Sequence, residues 1–123
     1  MASILIIEDE PPIRDNLCRF LRLEGHAVFA AENGRRGLEL LRDSLPDLII
    51  CDVMMPELDG FGLLKILRAD PRTAAVPFVF LTASAEKESL EHGQELGANE
   101  YVTKPFNLLQ LAALIRRRLG DAK

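Results

Sequence analysis

The sequence predicts a doubly wound α/β fold, in which a five-stranded parallel sheet carries helices on both faces. Two observations lead to this prediction. Short apolar runs alternate with amphipathic segments five times along the chain, as they do in repeated β-then-α units. Most of the runs are continuous rather than alternating, which is typical of strands covered on both faces. A chain of 123 residues is expected to form one domain, spanning residues 1–123.

The predicted strands are short, and each is followed by a segment of helical periodicity. The last strand is the most polar, which favours a position at the edge of the sheet. The strands cover Ile4–Ile7, Ala27–Ala31, Leu48–Cys51, Val76–Leu81 and Glu100–Val102.

The first three predicted helices have recognisable boundaries. A pair of prolines opens the first helix, and Gly25 ends it. Asn33 is placed to cap the second helix, which ends before Pro46, and Gly60 precedes the third. The residues predicted to face the core from these helices are Ile13, Leu17, Phe20, Leu21, Leu38, Leu41, Phe61, Leu64 and Leu67.

The last two predicted helices differ in their anchoring. Ser84 is expected to cap the fourth, which has only Leu90 and Leu96 as large apolar anchors. The fifth begins at Asn107, with Gln110 three residues later in the spacing of a capping box. Its predicted core face consists of Leu108, Leu111, Ala112, Ile115 and Leu119.

Composition and charge argue against several classes of function. A net charge of −4 gives no reason to expect nucleic-acid binding through this chain. No apolar stretch has the length needed to cross a bilayer, and the first residues do not form a signal peptide. Cys18 and Cys51 lie within apolar patterns, so two reduced thiols in a cytoplasmic protein are expected.

Polar side chains follow four of the five predicted strands. Glu8 and Asp9 end the first strand, Asp52 ends the third, Thr82 ends the fourth, and Lys104 follows the fifth. Ligands of open α/β sheets bind outside the carboxyl ends of the strands. These side chains are therefore predicted to meet in one site.

The residue types at this site point to phosphoryl chemistry. Three carboxylates with one nearby cation repel one another and favour a hard divalent ion, for which Mg²⁺ is suited. Lys104 offers a point charge and Thr82 a hydroxyl for the oxygens of a phosphoryl group. The remaining carboxylate, Asp52, is then available as a nucleophile that forms an aspartyl phosphate.

Four motifs in this order resemble the receiver domains of two-component response regulators, including those of the chemotaxis-Y kind. The similarity covers essentially the whole chain, and it implies a flavodoxin-like fold with strand order 2-1-3-4-5. The motifs are Glu8-Asp9, the run DVMMPELDG from Asp52, Leu81-Thr82-Ala83, and the run YVTKPF from Tyr101.

The resemblance implies a role for each acidic residue of the site. Asp52 would accept a phosphoryl group from a phosphohistidine on a sensor histidine kinase or a phosphotransfer protein. Asp9, Asp52 and the backbone carbonyl of Met54 would bind Mg²⁺, and Glu8 would act through water. Many members have Asp at the position of Glu8, so this chain keeps the charge on a side chain one methylene longer.

The resemblance also implies a switch. Lys104 would hold a phosphoryl oxygen, Thr82 would donate to another, and Tyr101 would rotate inward behind it, while a cis Lys104–Pro105 bond is expected. The changed face would comprise helix 4, strand 5 and helix 5, and would serve a downstream output domain or protein, or a dimer. On this interpretation the chain transfers and hydrolyses only its own phosphoryl group, and is not a multiple-turnover enzyme.

Two other functions are alternatives to the switch. Aspartate-nucleophile phosphatases of the haloacid-dehalogenase kind place an Asp-x-Asp pair after the first strand, whereas Asp52 ends the third and precedes Val53-Met54. A receiver-like binding module without phosphorylation is the second alternative. The presence of Asp9, Thr82 and Lys104 beside Asp52 argues against it.

Overall fold

The computed structural model describes residues 2–119, which form one parallel sheet flanked by helices. The sheet has five strands in the order β2-β1-β3-β4-β5, so the predicted architecture and strand order are confirmed. No helix within the described range is long and apolar enough to cross a membrane. The elements are β1 (Ser3–Ile7), α1 (Pro11–Leu23), β2 (Ala27–Ala31), α2 (Gly34–Asp43), β3 (Leu48–Cys51), α3 (Gly60–Ala69), β4 (Phe78–Thr82), α4 (Lys87–Glu95), β5 (Glu100–Thr103) and α5 (Leu108–Leu119).

The fourth strand begins later than predicted. Val76 closes a turn in which its backbone N–H donates to the carbonyl of Thr73, at 3.1 Å, and Pro77 has no N–H to offer the sheet. The strand ends one residue later than predicted because Thr82 pairs with Thr103 of β5.

Side chains cap three of the helices as polar N-cap residues should. The side chain of Asn33 accepts from the backbone N–H of Arg36 at 2.8 Å, which confirms the predicted cap of α2. Asp59 caps α3 by accepting from the N–H of Gly62 at 2.8 Å. Asn107 precedes α5 and accepts from the N–H of Leu109, also at 2.8 Å.

The predicted cap of α4 is wrong. That helix begins at Lys87, its N-cap residue is Glu86, and no side chain there makes a cap hydrogen bond. Ser84 stays outside the helix because its N–H donates to the Thr82 hydroxyl and its carbonyl accepts from Tyr101. These bonds hold Ser84 in the loop after β4.

The core lies in two layers, one on each face of the sheet. Alternate residues of β1 point in opposite directions, so Leu5 and Ile7 join one layer while Ile4 and Ile6 join the other. Helices α2, α3 and α4 cover the first layer, and α1 and α5 cover the second. From α5, Leu111, Ala112 and Ile115 are buried as predicted, but Leu108 is exposed and Leu119 is only partly buried.

Candidate functional site

Strand register brings the predicted polar residues to one edge of the sheet. The last residue of β1, Ile7, pairs with Cys51 of β3, and Cys51 pairs with Phe80 of β4. The backbone N–H of Asp52 donates to the carbonyl of Ile7 at 3.1 Å, and that of Lys104 donates to Thr82 at 2.8 Å. Because the pairing is parallel and continuous, the residues at the carboxyl ends of β1, β3, β4 and β5 lie side by side at one edge of the sheet.

Lys104 is the centre of the site. Its Nζ lies 2.9 Å from Oε1 of Glu8, 3.0 Å from Oδ2 of Asp52 and 3.8 Å from Oε2 of Glu10. Glu8 is 2% exposed and Asp52 is 4% exposed, so the two nearest carboxylates are shielded from water. The ammonium group thus compensates two buried carboxylates at once, which is the arrangement that makes burial of charge tolerable.

The pKa values within this group reflect burial and charge. Burial raises the pKa of Glu8 to about 7, the hydrogen bond from Lys104 opposes that rise, and the charge of Asp52 adds to it. Burial alone would lower the pKa of Lys104, but the hydrogen bonds to Glu8 and Asp52 outweigh it and leave the pKa raised. Lys104 is consequently a cation at any physiological pH.

The carboxylates form a compact acidic cluster. Glu8, Asp9, Glu10 and Asp52 each offer an oxygen, and these oxygens all lie within 4.8 Å of one another. Because Lys104 is the only cation within ion-pair distance of these carboxylates among residues 2–119, the cluster keeps excess negative charge. Hard oxygen donors with excess charge at a partly open edge fit Mg²⁺.

The loop after Asp52 is fixed to the core. The backbone N–H of Met54 donates to Oδ1 of Asp52 at 3.2 Å, which holds the Met54 backbone beside the carboxylate. A Cβ atom at Gly60 would lie 2.3 Å from the carbonyl oxygen of Asp52 and 2.8 Å from a ring carbon of Phe80. Only glycine allows α3 to start this close to the site.

Glu10 and Arg14 take part in the site and were missed by the sequence analysis. The backbone N–H of Glu10 donates to Oε2 of Glu8 at 3.2 Å, and Nη1 of Arg14 donates to the Glu8 carbonyl at 2.8 Å. Pro11 supplies a signal for Glu10, since a residue before proline is held extended, here with φ −89° and ψ 110°. The contact of Arg14 with the Glu8 carbonyl depends on the conformation of its long side chain, which no sequence motif predicts.

Thr82 and Tyr101 meet through the backbone of Ser84. The Thr82 side chain is fully buried, and its hydroxyl accepts from the N–H of Ser84 at 3.2 Å. The Tyr101 hydroxyl donates to the carbonyl of Ser84 at 2.6 Å, and its ring packs 5.6 Å, centroid to centroid, from that of Phe80. Among the hydrogen bonds of residues 2–119, none joins the Thr82 side chain to Asp52 or Lys104. The Lys104–Pro105 bond is cis, as expected.

A family model described as the response regulator receiver domain matches residues 4–116. The chain belongs to this family. It is 42% identical over 125 residues to a probable transcriptional regulatory protein of Picosynechococcus, covering 96% of this chain and 49% of that protein. It is 37% identical over 121 residues to the phosphate regulon transcriptional regulatory protein PhoB of Pseudomonas aeruginosa, covering 96% of this chain and 53% of that protein. The receiver domain described here thus spans about half the length of these two relatives.

Solved receiver domains share the fold. The signal receiver domain of a signal transduction histidine kinase from Syntrophus aciditrophicus superposes with a TM-score of 0.91 at 34% identity, covering 100% of this chain and 93% of that one. The receiver domain of sensor histidine kinase PA1611 from Pseudomonas aeruginosa PAO1 has a TM-score of 0.89 at 29% identity, covering 97% and 98%. That second structure has a magnesium ion coordinated in its active site cleft.

Proposed function

We propose that Asp52 accepts a phosphoryl group in a Mg²⁺-dependent transfer from a phosphohistidine on a sensor histidine kinase or phosphotransfer protein. The observation that carries this proposal is the pair of contacts from Lys104 to Asp52 and Glu8, at 3.0 and 2.9 Å, within an acidic cluster that keeps excess negative charge. A nucleophilic carboxylate next to a fixed ammonium group is what phosphoryl transfer requires.

The two oxygens of Asp52 have different surroundings. Oδ1 accepts from the N–H of Met54, and Oδ2 accepts from Lys104. In the transfer, an oxygen of Asp52 forms a bond to phosphorus while the phosphorus–nitrogen bond of the phosphohistidine breaks, and the imidazole leaves with that electron pair. Lys104 then exchanges its contact with the carboxylate for one with a transferred oxygen, and so stabilises the charge that moves onto the phosphoryl group.

The acidic cluster is suited to hold the metal ion. Asp9, Asp52 and the carbonyl of Met54 would bind Mg²⁺ directly, and Glu8 would contact it through water. When bound, the ion neutralises charge on the phosphoryl oxygens. This assignment is supported by the four carboxylate oxygens within 4.8 Å of one another and by the magnesium ion in the related receiver domain of PA1611.

Phosphorylation of Asp52 would shift an existing equilibrium between two conformations. The Thr82 hydroxyl would turn towards the phosphoryl group, and Tyr101 would follow because both residues bond to Ser84. The surface formed by α4, β5 and α5 would change, and would bind an output domain or protein or mediate a dimer. The transcriptional regulators among the relatives support an output of this kind.

The test is intact-mass spectrometry after incubation with acetyl phosphate and Mg²⁺. The wild-type chain should gain one phosphoryl group that is stable in acid and labile in alkali, and Asp52→Asn should gain none. Asp43→Asn, at the exposed end of α2, is the matched control and should behave as wild type. A folded wild-type chain that gains no adduct, with or without Mg²⁺, contradicts the proposal.

The alternative functions give different results in the same experiment. An aspartate-nucleophile phosphatase would hydrolyse a phosphate monoester over many turnovers. We do not expect this, because Asp52 ends the third strand, whereas such enzymes place an Asp-x-Asp pair after the first. A binding module without phosphorylation would neither bind Mg²⁺ nor form the adduct.

A further inference from the structure

The segment that follows β1 carries three of the four carboxylates of the acidic cluster. Its first residue, Glu8, is held by the sheet, because its backbone N–H donates to the carbonyl of Ala31 at 3.0 Å. The Glu8 side chain is also held, by Lys104 at 2.9 Å. Asp9 is partly exposed, and among the hydrogen bonds and ion pairs of residues 2–119 none involves its carboxylate. The position of the Asp9 carboxylate therefore depends on the backbone that carries it.

Arg14 restrains that backbone from a different element. Its Nη1 donates to the carbonyl oxygen of Glu8 at 2.8 Å, in a partly buried contact. This carbonyl belongs to the planar peptide group that links Glu8 to Asp9. The hydrogen bond therefore restrains the orientation of the peptide plane from which the Asp9 residue extends.

The helix that carries Arg14 is firmly attached to the sheet. Leu17 and Leu21 of α1 are each 1% exposed, so the core fixes the position of the helix. Two prolines at the start of α1 restrict the backbone where it leaves the site. The Arg14 guanidinium group is thus carried by a rigid element, and can hold the neighbouring peptide in one orientation.

The charge of Arg14 and its hydrogen bond have opposite effects on a divalent cation. A guanidinium group close to the acidic cluster repels the ion, so the charge alone would weaken binding. The hydrogen bond instead favours the arrangement in which the Asp9 oxygen lies within 4.8 Å of those of the other three carboxylates. A ligand that is in place before the ion arrives need not be ordered on binding, so affinity rises.

We infer that Arg14 is a positioning residue of the metal site, which holds the Glu8–Asp9 peptide so that Asp9 is in place to bind Mg²⁺. The inference rests on the proposed function, in which Asp9 and Asp52 bind the ion. Arg14 acts through the peptide group and contacts neither the ion nor the phosphoryl group. Its loss should raise the Mg²⁺ concentration that phosphorylation requires.

The first test is a titration of the whole, unphosphorylated chain with MgCl₂, followed through the backbone amide NMR shifts of residues 8–10 and 52–54. Arg14→Met keeps a long side chain but removes the donor, and should weaken Mg²⁺ binding about three- to ten-fold, the effect of losing one hydrogen bond. Arg14→Lys restores a donor and should bind within about two-fold of wild type. Arg14→Ala serves if the methionine variant fails to fold.

The matched control is Arg19→Ala. Arg19 is exposed on the same helix and carries the same charge, and none of the hydrogen bonds described for residues 2–119 joins it to the site. Its removal should leave the affinity for Mg²⁺ unchanged.

The second test is the rate of phosphorylation at one concentration of acetyl phosphate and increasing Mg²⁺. In Arg14→Met, the Mg²⁺ concentration that gives half the maximal rate should rise about three- to ten-fold. The maximal rate should stay within about two-fold of wild type, because the group that is lost does not contact the reacting atoms. A purely structural role would instead lower the maximal rate or the folded fraction.

Unchanged or tighter Mg²⁺ binding by a folded Arg14→Met chain overturns the positioning role, since tighter binding is what loss of the charge alone produces. Equal weakening in Arg19→Ala overturns it as well. Failure of the proposed function looks different. A wild-type chain without Mg²⁺-dependent shifts overturns the metal assignment and the role of Arg14 together. A wild-type chain that binds Mg²⁺ but forms no adduct contradicts phosphorylation alone, and the titration still decides the role of Arg14.

Discussion

The Nζ of Lys104 lies 3.0 Å from Oδ2 of Asp52, although 52 residues separate them in the sequence. The same ammonium group contacts Glu8, which is separated from it by 96 residues. These contacts join the ends of three strands, and the stability of the site depends on them.

Removal of the Lys104 charge should weaken both fold and function. Lys104→Met leaves the nearly buried carboxylates of Glu8 and Asp52 without their cation, and we expect a loss of about 3 kcal/mol in the free energy of unfolding at pH 7.5 without Mg²⁺. Urea denaturation measures this loss, and mass spectrometry should show little adduct. The exposed Lys65 of α3 provides the control variant, Lys65→Met, which should remain within about 0.5 kcal/mol of wild type.

Stability without divalent ions should fall as the pH rises from about 4.5 to about 7. Glu8 has a pKa of about 7 in the folded chain against 4.5 as its ordinary value, so the folded state binds the proton more tightly. Its contribution is fully present below pH 4.5 and is lost as the pH passes 7, by up to about 3 kcal/mol. Urea denaturation in EDTA at pH 5 and pH 8 checks this. Glu8→Gln should reduce the difference between the two pH values; an unchanged difference would show that other groups cause it.

Gly60 should not tolerate alanine. The added Cβ would clash with the Asp52 carbonyl and the Phe80 ring, so Gly60→Ala should destabilise the chain by roughly 2 kcal/mol and slow phosphorylation of Asp52. Gly62→Ala is the matched control two residues later. There the nearest atom would be the end of the flexible Leu58 side chain, at 3.0 Å, and the change should stay within about 1 kcal/mol. Equal losses in thermal unfolding for the two variants would contradict this explanation.

Glu57 adopts a conformation that favours glycine. Its φ of 68° lies in the left-handed region, and the compensating contact to Arg35, at 3.1 Å, is between exposed side chains. Glu57→Gly should therefore raise the free energy of unfolding by about 1 kcal/mol. Arg35→Ala removes the ion pair alone and should have an effect below about 0.5 kcal/mol in the same denaturation experiment.

The sequence could predict those parts of the site that follow from strand ends. Runs such as Leu48–Cys51 are apolar throughout, which is typical of strands in a parallel sheet. The polar residue that follows each run is therefore expected at the carboxyl edge of that sheet. Asp52 and Lys104 were predicted on that basis, and the structure brings them into contact. The roles assigned to Asp52 and Lys104 come from the resemblance to receiver domains, and the proposed experiments test those roles.

Loop residues were harder to predict because several partners compete for them. Ser84 has the side chain of a helix cap, but Thr82 and Tyr101 occupy its backbone groups and draw it into the loop instead. Glu10 reaches the site because of the extended backbone before Pro11, and Arg14 reaches it through its side-chain path. The conformational preferences of individual residues do not predict such tertiary contacts.

The residues of the site come from distant parts of the sequence, and this has a consequence for the nascent chain. The carboxylates of Glu8, Asp9, Glu10 and Asp52 leave the ribosome well before Lys104, which follows β5, the last strand within residues 2–119. Until β5 pairs with β4, the carboxylates have no ammonium group and the Thr82 loop has no Tyr101 to hold it. The nascent chain should thus be unable to accept the proposed phosphoryl group until its sheet is complete.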